Sequence, residues 1–179
     1  MGKDGMNIVL IGYRAAGKST LGNLLAQKLG WPLLDIDRGI EAKTGQTLKN
    51  LYEESGEEIF RDIESRVVHD MCSQDNHVIA FGAGSLTRPE NQVMVRQNAL
   101  VVYLYVPPEV LWDRIQNDPQ SADTRPNLTR GGFQEVVEML SQRDPIYRKC
   151  ADLILDGTRP SQDLCEEIFA AYLAHTEPA

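Results

Sequence analysis

The sequence predicts an α/β fold in which helices cover both faces of a five-stranded parallel sheet. Three observations carry that expectation: five short apolar runs, helical stripes between successive runs, and a glycine-bounded turn joining the first run to the first stripe. At 179 residues the chain is sized for one domain, spanning 1–179, that buries a core without staples. Hydrophobic residues at 42% and charged residues at 25% exclude disordered, collagen-like and coiled-coil chains.

The elements follow in order. Asn7-Ile8-Val9-Leu10-Ile11-Gly12 reads as a strand covered on both faces. Leu21, Leu24, Leu25 and Leu29 then repeat at helical spacing, and Gly30 supplies a C-terminal cap. Leu33-Leu34-Asp35-Ile36 is a second strand. Residues 38–55 are polar and weakly helical, and Ile59, Phe60, Ile63, Val67 and Met71 mark a longer helix. His77 to Phe81 is a third strand that stops at Gly82-Ala83-Gly84. Leu100 to Val106 is a fourth, ended by Pro107-Pro108. Val110, Leu111 and Ile115 start another helix. Residues 117–132 carry two prolines and almost no apolar side chain, the composition of a functional lid. Phe133, Val136, Val137 and Leu140 resume helical spacing, Ala151 to Leu155 is a fifth strand, and Leu164, Ile168 and Tyr172 close with a helix. The domain therefore carries two expected excursions, one at about 37–61 and the lid at about 117–132.

The charge balance narrows the function. Eighteen basic against 26 acidic residues leave a net charge of −8, which argues against a nucleic-acid binder. An anionic ligand must then meet a local cluster of cations. Cys72, Cys150 and Cys165 show no C-x-x-C spacing, as expected of reduced cytoplasmic thiols. No apolar run approaches the ~18 residues of a membrane span, and the polar N-terminus lacks a signal-peptide pattern. A soluble cytoplasmic monomer without nucleic-acid or membrane partners is expected.

Gly12-Tyr13-Arg14-Ala15-Ala16-Gly17-Lys18-Ser19 fits G-x-x-x-x-G-K-[ST] at every fixed position, between a strand and a helix. Backbone N–H groups of such a loop wrap a β-phosphate, and the glycines let the backbone come close. ATP-binding positions are therefore Gly12, Ala15, Ala16, Gly17, Lys18, Ser19 and Thr20. Lys18 neutralises β/γ oxygens and the Ser19 hydroxyl is a magnesium ligand. The loop alone leaves NTPases, GTPases and small-molecule kinases open. The chain is short for a motor domain, and it lacks the Asn-Lys-x-Asp stretch that reads guanine.

The other signals are carboxylates and arginines where this fold binds ligands, beyond the carboxyl ends of the strands. Asp35 and Asp37 flank Ile36, so a strand period points both to one side. Arg61 lies off the apolar stripe of its helix. Gly82-Ala83-Gly84 offers backbone N–H groups, Arg125-Pro126 falls in the lid, and Arg143 precedes Asp144-Pro145-Ile146-Tyr147.

With GYRAAGKST, the D-x-D at 35–37, Phe60-Arg61 with Glu64, the turn at 82–84, Arg125-Pro126-x-Leu128 and Arg143-x-x-x-Tyr147 in this order, the sequence resembles the shikimate kinases, within the wider group of nucleoside-monophosphate-kinase-like P-loop enzymes. The resemblance runs from about residue 7 to about residue 172. It implies transfer of the γ-phosphoryl of ATP, with Mg²⁺, to the 3-hydroxyl of shikimate. It further implies that Asp37 binds substrate hydroxyls and takes the proton of the attacking one. Arg61 and Arg143 hold the substrate carboxylate, and Gly82, Ala83 and Gly84 donate a backbone contact. Arg125 closes onto the transferred phosphoryl, Asp35 reaches magnesium through water, and Arg114 and Pro160 flank the adenine. Forked guanidinium donors suit a planar carboxylate, in keeping with those roles. The family's turn carries three glycines where this chain has Ala83 in the middle. Residue 83 is therefore expected to have negative φ with its N–H still facing the substrate. Two alternatives stay open: a kinase of another small hydroxylated acid such as gluconate, and a nucleotide-binding regulatory protein without turnover.

Overall fold

The computed structural model describes residues 5–118 and 131–176. Five parallel strands, β1 (Asn7–Ile11), β2 (Leu33–Asp35), β3 (Val78–Ala80), β4 (Ala99–Tyr105) and β5 (Leu153–Asp156), pair in the order β2-β3-β1-β4-β5. The described helices are α1 (Lys18–Leu29), α2 (Ile36–Thr44), α3 (Leu48–Cys72), α4 (Pro89–Val95), α5 (Pro108–Gln116), α6 (Gly132–Cys150) and α7 (Ser161–Thr176). Val9 of β1 stands opposite Ile79 of β3 and Val101 of β4, and all three are fully buried. Helices on both faces exclude water from these strands, which is why they read as continuous apolar runs.

The chain leaves β1 toward β2 and β3 on one side and returns to β4 and β5 on the other. Loops after β1 and its neighbours therefore diverge, opening a crevice at the carboxyl edge of the sheet.

Several boundaries differ from the sequence reading. The second strand stops at Asp35 instead of continuing through Ile36. Asp35 is extended at φ −120° and its carboxylate accepts the Arg38 N–H at 3.2 Å, so it caps α2 and starts a helix at once. Asp37 consequently sits in the first turn of α2, and strand periodicity does not govern where it points. The polar stretch after it divides into α2 and the start of α3, which Thr47 caps. Within α3 the path breaks at Gly56, whose φ of 82° departs from the helix. The stripe on α3 is also displaced: Ile59 is 52% exposed, whereas Arg61 and Glu64 lie on the buried face beside Phe60 and Val67. Between β3 and β4 the structure has a 3₁₀ turn, Ser85–Thr87, and α4, neither anticipated from the apolar pattern. Pro89 at the first position of α4 is the signal that marks its start. The stretch expected to form a lid, apart from residues 117, 118, 131 and 132, lies outside the described residues, as does Arg125. Among the described residues no helix is long and apolar enough to cross a membrane.

Two tyrosines fix α6 against the sheet. Tyr103, fully buried on β4, donates to the Asp144 carboxylate at 2.8 Å, and Tyr147 donates to the Ala83 carbonyl. Their rings are tilted together at 5.0 Å. Burial pushes the Tyr147 phenol well above its ordinary pKa, so it remains a donor throughout the neutral range. Tyr103 is raised by burial and by its bond to Asp144. These ties set the rotation of α6 and thereby aim Arg143.

Candidate active site

The phosphate loop is built from backbone. Gly17 caps α1 at φ 100°, and a Cβ there would meet nothing within 4 Å; glycine is required for its conformation, not for space. Ala15 also takes positive φ, at 64°, where an L-residue is strained by roughly 1–2 kcal/mol. The strain is held by Arg114 of α5, whose guanidinium donates to the Ala15 carbonyl and to the Gly157 carbonyl, both at 3.1 Å. Lys18 Nζ donates to the carbonyls of Gly12 and Tyr13 at 2.8 Å each. The first turn of α1 leaves its N–H groups facing a cleft of about 640 Å³ bounded by residues 15–21, Asp35, Asp37 and Arg114. Gly157, Arg159 and Ser161 line it too, whereas Pro160, between the last two in sequence, is not among its lining residues. At its mouth Ser19 Oγ donates to Asp35 Oδ2 at 3.2 Å.

Across Asp37 and Leu48, which line both spaces, lies a smaller pocket of about 80 Å³. Arg61 and Arg143 each reach it while only 7% exposed. Arg61 Nη1 donates to Glu64 Oε2 at 2.6 Å, and the other Glu64 oxygen accepts from Ser85 Oγ at 2.7 Å. Glu64 thus fixes the fork of Arg61 without leaving a buried charge unpaired. The Arg143 guanidinium stands 5.8 Å from the centre of the Tyr13 ring. Burial raises the Tyr13 pKa, with Arg14 and Arg143 opposing that shift.

The turn after β3 closes the pocket floor. Gly82, Ala83 and Gly84 all avoid the positive-φ region, in line with the expectation for residue 83. The flanking glycines answer a different need. A Cβ on Gly82 would lie 2.6 Å from Asp37 Oδ1, and one on Gly84 would lie 2.6 Å from Arg61 Nη1. Both glycines exist to let functional side chains approach the backbone, a pressure that Ala83 does not face.

Lys18, Ser19, Asp35, Asp37 and Arg114 thus gather on the cleft, while Asp37, Arg61, Ala83, Gly84 and Arg143 gather on the pocket; Gly82 packs against Asp37. Sequence reasoning passed over five lining residues: Tyr13, Arg14, Leu48, Tyr52 and Glu135. Tyr13 and Arg14 occupy free positions of the loop motif, so only their size and charge distinguish them. Glu135, 4% exposed, accepts the Gly131 N–H at 2.9 Å and gave no signal among the other acidic residues. Chemically, this is an anion cradle beside a cation-lined pocket, with one carboxylate at the junction.

Known proteins share this fold. A family profile described as Shikimate kinase matches residues 14–174. A shikimate kinase of Dehalococcoides mccartyi is 39% identical over 163 residues, covering 90% of each chain. One of Nitrosomonas europaea is 40% identical over 87% of this chain and 72% of its own length. The solved shikimate kinase of Acinetobacter baumannii in complex with shikimate superposes with a TM-score of 0.89 at 34% identity, covering 97% of this chain and 96% of that one. A gluconokinase of Sinorhizobium meliloti superposes at 0.57 with 13% identity, which is a likeness of fold alone. By sequence and structure together, the chain belongs to the shikimate kinase family.

Proposed function

We infer that this chain is a shikimate kinase, an ATP-dependent phosphotransferase that acts on the 3-hydroxyl of shikimate and yields shikimate 3-phosphate and ADP. The observation that carries the reading is Asp37, whose carboxylate stands where the phosphate cleft meets the arginine-lined pocket. A hydroxyl acceptor anchored by its carboxylate to Arg61 and Arg143 would present its alcohol there. Asp37 then accepts the hydroxyl proton as the new O–P bond forms and the bond from the γ-phosphorus to the bridging oxygen breaks, releasing ADP. Lys18 moves from the loop carbonyls to the phosphate oxygens, where its charge meets the charge developing during transfer. The loop N–H groups of Ala15, Ala16, Gly17 and Thr20 hold the phosphates in line, and Gly12, where a Cβ would lie 2.8 Å from the Leu104 carbonyl, lets the loop start close against β4. Arg114 and Pro160 border the base, and Arg125 from the lid adds a cation to the transferred group.

Mg²⁺ fits the donors present. A serine hydroxyl and one carboxylate at hydrogen-bond separation are hard oxygen ligands, few enough to leave places for phosphate oxygens and water. Ser19 would ligate the ion directly and Asp35 through water, and the bound ion would neutralise β/γ charge. Both half-sites come from one chain, which supports a monomer as the working unit. The requirement for ATP and the three unbridged cysteines support a cytoplasmic location.

The test is ADP release over a panel of hydroxy acids, with and without shikimate. Shikimate should stimulate release strongly and gluconate should not. Stimulation by gluconate alone would assign a different acceptor, and nucleotide binding without stimulation would assign a regulatory protein.

A further inference from the structure

Arg14 occupies a free position of the phosphate-loop motif, yet its side chain lines the acceptor pocket and not the nucleotide cleft. It is half-buried. Among the described residues only three buried side-chain polar atoms lack a hydrogen-bond partner, and two of them are the Nε atoms of Arg14 and Arg61. Both belong to this one pocket. Unsatisfied buried donors are costly, and a functional site that receives an anion is where such a cost is recovered.

The three guanidiniums of the pocket are not equivalent. Arg61 is already committed to Glu64 at 2.6 Å, with Glu57 3.9 Å from its Nε. Arg143 lies over the Tyr13 ring and acts electrostatically on Tyr147. Arg14 makes no hydrogen bond or ion pair with the other described residues, and its charge is felt by the Tyr13 phenol, which Arg143 also approaches. The pocket also holds Asp37, Glu64 and Glu135, so three carboxylates balance the three arginines. Glu64 is bonded to Arg61 and Ser85, and Glu135 to the Gly131 N–H. Arg14 is therefore a cation with donor capacity left for a ligand, including a buried Nε that no described residue satisfies.

We propose that Arg14 is a third acceptor-binding guanidinium, which contacts the carboxylate of the acid substrate from the phosphate-loop side and makes that negative charge a condition of tight binding. The proposal rests on the assignment of shikimate as acceptor. Because Arg14 is anchored in the same loop that holds ATP, it would also set the distance between the anchored acid and the γ-phosphoryl. The third fork should sharpen discrimination between the acid and an uncharged analogue of the same shape.

Calorimetric binding of shikimate and of its methyl ester, with steady-state KM for shikimate and ATP, tests this on the wild type, Arg14→Met and Arg14→Lys. For Arg14→Met the shikimate Kd and KM should rise about tenfold or more, the methyl ester Kd by less than about threefold, and the ATP KM by less than about twofold. Arg14→Lys should fall between, since the charge survives and the fork does not. Equal weakening of acid and ester, unchanged shikimate affinity, or a parallel rise in ATP KM would each overturn the proposal. Thermal melting separates loss of fold from loss of contact, and if Arg14→Met fails to fold the Arg14→Lys comparison decides. Failure of the wild type to bind shikimate at all would instead remove the functional assignment itself.

Discussion

The phosphate loop and the acceptor pocket sit on either side of Asp37 but are made in different ways. The loop is contiguous, residues 12–19, and acts mainly through backbone N–H groups and one helix terminus. The pocket draws Arg61 and Glu64 from α3, Ala83 and Gly84 from the turn after β3, and Arg143 from α6. Arg61, Glu64 and Arg143 are almost wholly buried, whereas Ser19 at the start of α1 is exposed. A backbone-built site needs special φ values and leaves most side chains free to vary. A side-chain-built site needs partners for its buried charges and room for them to approach, so its specificity depends on packing three elements correctly.

Substitutions that act on one region and spare the other would sharpen this contrast. Lys18→Ala should have the largest effect, lowering kcat by roughly 10²–10³ with the fold intact, because it removes a cation facing developing charge. Retention of more than about a tenth of kcat would remove Lys18 from the transfer step. Asp37→Asn belongs to both regions and should lower kcat by about 10² while changing both KM values little, since the amide still hydrogen-bonds a hydroxyl but takes no proton. An unchanged kcat would reduce Asp37 to positioning.

The pocket variants should move one KM only. Arg61→Lys and Arg143→Lys should each raise the shikimate KM about tenfold, through loss of the fork, and leave that for ATP unchanged. Gly84→Ala places a Cβ 2.6 Å from Arg61 Nη1 and should displace the guanidinium, raising the shikimate KM several-fold. A parallel rise in the ATP KM in any of these three would mean that the regions are not separable. Ala83→Gly should do least. It should change the shikimate KM by less than about tenfold and lower stability by about 0.4–1 kcal/mol, through added freedom of the unfolded chain. A gain in stability, read by thermal melting, would show that alanine is strained there.

The same contrast explains what was legible in the sequence. The loop could be read because every residue it needs is adjacent and its spacing is dictated by one phosphate. The sheet could be read because strands buried on both faces are unbroken apolar runs. Asp37, Arg61 and Arg143 stood out as charged residues near the carboxyl ends of the strands, but only the family resemblance joined them into one pocket. No periodicity marks it, since Arg61 and Glu64 bury together at positions where a helix would ordinarily show leucine. The end of the second strand was misplaced by one residue: an apolar Ile36 extends the strand pattern, while the capping carboxylate of Asp35 ends it. The short helix α4 has too few apolar residues to show a stripe. Arg14 and Glu135 were invisible because their importance comes from what they face across the fold.

Transfer rather than hydrolysis is the central claim, and the identity of the phosphorylated product tests it most directly. Phosphorus NMR of a reaction containing the enzyme, Mg²⁺, ATP and shikimate should show ADP and a phosphate monoester of shikimate in equal amounts, with the ester on the 3-oxygen. ADP accompanied by free inorganic phosphate, or ATP left unconsumed, would contradict it.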